Sequence, residues 1–330
     1  EVPEDLLVIP GGTANLNIPG LDHLREIDLG TFLIGRHEVS NRDYAAFVAA
    51  GGYEKPELWS EGFVLDGREI AFAEAMARFT DSTGMTGPST WEAGDHPDGL
   101  EDHPVTGVSW YEADAFARWS GRVLPTLYHW NRAAETRLSH IVVPYSNFNG
   151  KGTAPVGSYP GMTAFGVHDM AGNAREWCSN ATSDGQRVVL GGGWDDLSYM
   201  FNDFFAQDPW DRRHTNGFRT AVFLDGHNPA AEAIIEPPFR DFMSETPVSD
   251  EIFAVYRNLF RYDPQPLNAE ILFTEEASSD YTTEKVVFDA AYGDERMSAY
   301  LYLPTGGAAP HPAVVYFPGS NAIHADSSDH

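Results

Sequence analysis

Apolar positions recur at helical spacing in four stretches of the chain, and three short apolar runs near its end have the look of strands. Tyr44, Phe47 and Val48 share one face of a helix that Ser40 can N-cap, with Asp43 three residues on and Gly51 after it. Ser109 begins a second helix over 110–120, with Glu112 in place to close a capping box and Gly121 to end it. Thr126 caps a third, running through Trp130 to about Leu138. A fourth is predicted over 250–260, where Ile252, Phe253, Val255, Tyr256, Leu259 and Phe260 repeat at helical spacing. The strand-like runs are 285–292, 297–303 and 313–317, separated by Gly293-Asp294 and Gly306-Gly307. Before Phe223 the chain is otherwise rich in Gly, Trp and short aromatic segments. Residues 226–248 are rich in Pro and acid and read as a linker or extended arm. The pattern divides the chain into 1–225, a linker at 226–248, and 249–330.

Composition narrows the functional classes. At 42% hydrophobic and 13% aromatic residues over 330 positions, the chain can build a large packed core. Its formal net charge of −28 argues against nucleic acid as a partner and against docking on an anionic membrane face. Lys55, Lys151 and Lys285 are the only lysines. Cys178 is the single cysteine, so neither an intrachain disulfide nor a cysteine metal cluster can form. No stretch reaches the apolar length of a membrane span. A start at Glu1, without methionine, leads us to expect a piece of a longer protein.

Seven local runs fall in one order: RHEVSN at 36–41, HPVTGVSW at 103–110, LPT at 124–126, APVGS at 154–158, FGVHDMAGNAREW at 165–177, LGGGW at 190–194 and NGFR at 216–219. Each alone is weak; the ordered set closely resembles the formylglycine-generating enzyme, or sulfatase-modifying factor, family over about two thirds of the chain. The resemblance implies an α+β, C-type-lectin-like fold with much loop. The glycines suit close backbone approaches, and Trp110, Trp177 and Trp194 are large fillers whose N–H groups need partners.

In this family the DMAGN-x-x-EW run wraps a calcium ion. The resemblance therefore implies carboxylate oxygens from Asp169 and Glu176 and backbone carbonyls from Gly172 and Ala174, a hard-oxygen set suited to Ca²⁺. The alternative is that Asp169 caps a turn and Glu176 pairs with an arginine. Family members often carry a second calcium site. Asn147 and the Phe148 carbonyl fit its first half, but the downstream acid is missing and Lys151 stands where it would help.

The family's enzymes hold copper with two cysteines shortly after the GG-x-W run and use O₂ to oxidise a substrate cysteine. Thiolates suit Cu(I). Here residues 195–205 hold no cysteine; Asp196 and Met200 or Phe201 fall near the two positions, so no copper is expected. Other branches of the family use a non-haem iron whose histidines come from an added helical domain. His103, His129, His168 and His214 show no metal-ligand spacing and are read as surface or hydrogen-bonded core histidines. Trp194, Asp195, Asp196, Tyr199, Phe201, Trp210, Arg212 and Arg213 are expected around the family's groove, a mixture suited to a peptide, a saccharide or a protein partner. The bland alternative for each aromatic is core packing.

The runs at 285–293, 299–304 and 312–320 resemble the opening strands of a dienelactone-hydrolase-type α/β-hydrolase, with 318–321 as the oxyanion loop. No Gly-x-Ser-x-Gly elbow occurs anywhere in the chain, so Ser320, Ser327, Ser328 and His324 are read as loop residues. This order of segments resembles the C-terminal part of membrane-anchored bacterial serine/threonine kinases, which implies an extracytoplasmic sensor by analogy alone.

Overall fold

The structure is a computed structural model that describes residues 2–316, apart from residues 17, 22, 60–61, 237–241, 263–265, 276–277, 292 and 308–310. It divides into two compact units, Glu1–Arg240 and Asp241–His330.

The first unit is mixed α/β and loop-rich. Its strands are β1 (Leu6–Ile9), β2 (Gly12–Ala14), β3 (Ile27–Leu29), β4 (Phe32–Gly35), β5 (Phe63–Leu65), β6 (Arg68–Ile70), β7 (Arg175–Ala181), β8 (Arg187–Leu190), β9 (Phe205–Gln207), β10 (Asn216–Gly217) and β11 (Ala221–Phe223). Its helices are α1 (Asn41–Ala49), α2 (Phe72–Met76), α3 (Trp110–Trp119), α4 (Leu127–Ala134) and α5 (Ser139–Val142). A central sheet runs β10-β7-β8-β9, with β10 parallel to β7 and the other pairs antiparallel. A second sheet runs β1-β4-β11.

The central sheet separates two cores, and the period-two alternation of strands explains how. Trp177 and Val189 face a core built on Tyr44, Phe47, Phe79, Trp91 and Phe116. Their neighbours Cys178, Val188 and Leu190 face the other, built on Ile9, Ile34, Trp130, Met170 and Phe201. The first core is dense in aromatic pairs: Tyr44 stacks on Phe116 at 5.5 Å, and Trp59 on Phe79 at 5.3 Å. Such pairs add roughly 0.5–1.5 kcal/mol each beyond area burial.

Local chemistry fixes the helix starts as expected. Ser40–Asp43 and Ser109–Glu112 both form reciprocal capping boxes, and the Thr126 hydroxyl accepts from the His129 N–H. The third helix is shorter than predicted. It ends at Ala134 because Glu135 turns left-handed (φ 50°), and a 3₁₀ turn, Thr136–Leu138, follows.

The expected linker at 226–248 also needs correcting. Ala231 and Ile235 are fully buried in the first unit's core. The Asn180 side chain donates to the Ala231 and Ala233 carbonyls, and the Ile235 N–H donates to the Ala181 carbonyl. A short Pro- and acid-rich stretch is thus pinned by two small apolar contacts and backbone bonds that composition does not reveal.

The second unit contains α6 (Asp250–Asn258), capped by Ser249, and an antiparallel sheet β12 (Glu270–Glu275), β13 (Tyr281–Asp289), β14 (Arg296–Pro304). The predicted helix stops two residues early, at Asn258. The predicted strand at 285–292 starts earlier, at Tyr281, and ends at Asp289, while β12 has no counterpart in the sequence reading. The run at 313–317 is not a strand over its described residues: 313–316 pair with nothing, and Val314 and Tyr316 are 91% and 85% exposed. Residues 317–330, with the expected oxyanion loop, Ser320, His324, Ser327 and Ser328, lie outside the described residues. Among the described residues no helix is long and apolar enough to cross a membrane.

Candidate functional site

The FGVHDMAGNAREW run folds back on the Asn147 loop. Gly172 (φ 75°) and Asn173 (φ 61°) take left-handed conformations, and Asn147 and Gly172 form a parallel bridge. A Cβ on Gly172 would lie 2.4 Å from the Asn147 carbonyl oxygen, so only glycine permits this approach. The Asn173 N–H donates to the Asn147 carbonyl at 2.9 Å, and the Gly172 N–H to the Gly191 carbonyl at 3.0 Å.

Behind this loop lies a buried charge cluster. The Arg219 guanidinium meets Glu176 in a bidentate pair, Nε to Oε2 and Nη2 to Oε1, both at 2.6 Å, with both side chains fully buried. Arg219 also donates to the carbonyls of Gly35 and His168. The Trp130 indole donates to Glu176 Oε2 at 2.8 Å. Parallel pairing of Gly217 with Glu176 brings the two segments together.

Glu38 and Asp169 complete the cluster. Glu38 accepts from the Ala174 N–H and the Asn173 amide. Asp169, itself left-handed at φ 56°, accepts from the Gly157 N–H at 2.6 Å. Three buried carboxylates therefore face one buried guanidinium. Burial, together with the charges of Asp169 and Glu176, raises Glu38 well above the usual carboxylate range. Burial raises Asp169 too, against the Gly157 N–H and Arg219. Burial opposes the charge on Arg219, but Glu176, Glu38 and Asp169 hold it protonated.

This arrangement bears directly on the expected calcium ligands. Both Glu176 oxygens are taken by Arg219, and one also by Trp130, which is the arginine-paired alternative. A cation there would share those oxygens with a guanidinium. The Asn147 side chain differs. Its amide donates to Gly152 O and Asn173 Oδ1, while its buried Oδ1, a hard-oxygen donor, has no hydrogen-bond partner among the described residues. Among the described residues no three His, Cys, Asp or Glu side chains converge as a metal cluster. A cation here would rest on amide and backbone oxygens as much as on carboxylates.

The residues expected around a groove divide between exposed and buried positions. Tyr199 is exposed, and Asp195 pairs with His214 at 3.0 Å, whose ring lies 5.4 Å from Trp194. Asp196 is half-sunk, pairing with Arg175 at 2.8 Å and accepting from the Gly193 N–H. Phe201 is buried against Trp130. Trp210 stacks on Phe79 at 5.4 Å and donates to Val64 O. Arg212 is paired with the buried Glu112, which also accepts from Tyr53 and from the Ser109 N–H, and it donates to the carbonyls of Thr80 and Gly87. Arg213 forms an exposed pair with Asp211. Phe201 and Arg212 are therefore structural and do not line a groove. Glu38 and Arg219 were missed as site residues, although both lie inside runs that carry the family resemblance, RHEVSN and NGFR.

Cys178 follows two residues after Glu176 on β7. It is fully buried, and burial with the neighbouring Glu176 charge pushes its thiol well above the ordinary range.

The profile of the sulfatase-modifying factor enzyme 1-like domain matches residues 1–224. The chain belongs to this family. A hercynine oxygenase of Mycolicibacterium smegmatis is 27% identical over 76% of this chain and 60% of its own length. A formylglycine-generating enzyme of Thermomonospora curvata is 30% identical over 54% of this chain and 72% of its own length. The serine/threonine-protein kinase pkn1 of Chlamydia caviae is 30% identical over 48% of this chain and 24% of its own length. The chain spans about three fifths or less of the hercynine oxygenases it matches.

Proposed function

We propose that the family domain of this chain is a non-catalytic, calcium-stabilised module that binds a peptide, a saccharide or another protein. The observation that carries the reading is the state of its one thiol. The family's copper enzymes hold the metal with two cysteines, as thiolates suit Cu(I), and the chain has a single cysteine, Cys178, buried with its thiol raised. Asp196, at one of the two expected copper positions, is occupied by Arg175 and the Gly193 N–H.

Calcium would be held by Asp169 and the carbonyls of Gly172 and Ala174, with Glu176 shared with Arg219; Asn147, expected from the sequence at a second site, bridges Gly172 and is added to this one. The buried excess of carboxylates and the unpartnered Asn147 oxygen support it. Its role would be to neutralise the cluster and hold the two loops together.

The test is to incubate the protein with copper, O₂ and a cysteine peptide bearing a sulfatase motif. No aldehyde is expected; an aldehyde would overturn the reading. The likeness to hercynine oxygenases favours a second reading, an oxygenase, and the same assay with iron(II) and hercynine tests it. Consumption of hercynine would establish that second reading in place of the first.

A further inference from the structure

A cavity of about 230 Å³ opens in the first unit between the β3–β4 turn, α4 and the loop after β11. Its floor is His129, a buried imidazole clamped between two rings. Phe223 stacks on it at 4.0 Å and 18°, and Phe32 meets it edge-on at 4.7 Å. The ring orientation is set by Thr126, whose Oγ1 lies 2.7 Å from His129 Nδ1.

The hydrogen bonds of Thr126 favour one tautomer. Its oxygen accepts from the His129 backbone N–H, so its hydroxyl proton needs an acceptor, and Nδ1 is the one within reach. The ring proton then sits on Nε2. That nitrogen has no partner among the described residues, and because His129 lines the cavity we assign Nε2–H as the donor there. Burial lowers this imidazole to about 4, so the ring is neutral at pH 7.

The rim supplies the complementary group. The Asp225 carboxylate lies flat over Gly30, where a Cβ would come 2.0 Å from Oδ2. Glycine at position 30 is thus what lets the carboxylate sit at the cavity mouth. Asp225 has no hydrogen-bond partner among the described residues, so it is an open acceptor. Asn228 holds the rim in shape, donating to Asp28 O and accepting from the Ala230 N–H.

Donor floor, acceptor rim and a lining that mixes the rings with polar groups such as Thr31 and Asn228 select the ligand. An ammonium would find Asp225 but meet the Nε2–H donor at the floor. An anion would find that donor but face Asp225 on a chain of net charge −28. A neutral molecule with several hydroxyls satisfies both, accepting from Nε2–H and donating to the carboxylate, while its C–H face lies on the rings. At about 230 Å³ and half open to solvent, the cavity is of a size to seat one sugar ring. We propose that this cavity is a binding site for a neutral monosaccharide, read by His129 Nε2–H and the Asp225 carboxylate. The proposal stands apart from the loss of thiol chemistry and would hold in an active enzyme as well.

The test is NMR titration of the whole chain, labelled with ¹⁵N-histidine and ¹⁵N-tryptophan, using glucose, mannose and N-acetylglucosamine, with acetate and ethylammonium as separate arms. The expected result is a saturable shift of the His129 ring signals with at least one sugar. Asp225→Ala, at an exposed position, and Gly30→Ala, which displaces that carboxylate, should each weaken it on the order of tenfold. Both variants are checked for folding by their unchanged Trp130 and Trp177 indole signals. No shift with any sugar, saturation by acetate or ethylammonium instead, or unaltered affinity in folded Asp225→Ala would each overturn the proposal.

Discussion

Arg219 and Glu176, 43 residues apart in sequence, form a bidentate ion pair from which water is entirely excluded. Removing one member of such a pair strands the other's charge, which costs about 3–5 kcal/mol. Arg219→Ala should therefore lower the unfolding free energy of the first unit by about that amount. A loss under about 1 kcal/mol in chemical denaturation would show that Glu176 has another partner.

Calcium dependence is read separately. Chelation should lower the melting temperature of the wild-type protein, and Asn147→Ala should shrink that drop while leaving the Arg219–Glu176 pair in place. Identical melting with and without chelator in the wild type would end the calcium reading, and equal chelator sensitivity in Asn147→Ala would remove Asn147 from the site.

Glycine 172 offers a sharp comparison. Ala at 172 would force a Cβ to 2.4 Å from the Asn147 carbonyl at a left-handed φ, whereas Ala at 84 shares a positive φ but meets open space. Gly84→Ala should cost about 1–2 kcal/mol, the penalty of the left-handed backbone alone. Gly172→Ala should cost clearly more, and equal costs would contradict the close approach.

Acid should weaken the first unit in a defined window. Burial lowers His129 to about 4, and burial with the charges of His168, Arg219 and Arg36 lowers His37 to about 4. Both are depressed bases, so between about 4 and the free value of 6.5 the unfolded chain binds more protons than the folded one. The histidine contribution is then full above 6.5 and falls as pH drops toward 4, while the raised Glu38 and Asp169 act in the opposite sense. His129→Gln should flatten part of that slope in denaturation curves taken from pH 7 to 4.

Glu112 ties three segments through Ser109, Tyr53 and Arg212. Glu112→Ala should cost about 3–5 kcal/mol because it leaves Arg212 buried and unpaired. Ser40→Ala removes only a cap and should cost about 1 kcal/mol. Similar losses for the two in urea denaturation would mean that Arg212 finds other acceptors.

What could be read from the residues alone is what depends on near neighbours along the chain. The Ser40, Ser109 and Thr126 caps are three-residue motifs, and each forms as predicted. The ordered runs from 36 to 219 likewise identified the family, because each run is a local solution to a turn or a close approach. The absence of copper-holding thiols is also a property of sequence, since no fold can supply a second cysteine.

Tertiary structure decided what depends on partners far along the chain. It gave Glu176 to Arg219, put Arg212 on Glu112, and sank Phe201 into the core instead of a groove. It drew Ala231 and Ile235 out of an apparent linker into that core. It set Asp225 over Gly30, 195 positions apart, at the mouth of a cavity floored by His129. The physical reason is the same in each case. A buried charge or ring is stable only beside its partner, and which partner arrives is settled by strand pairing and packing, not by spacing along the chain.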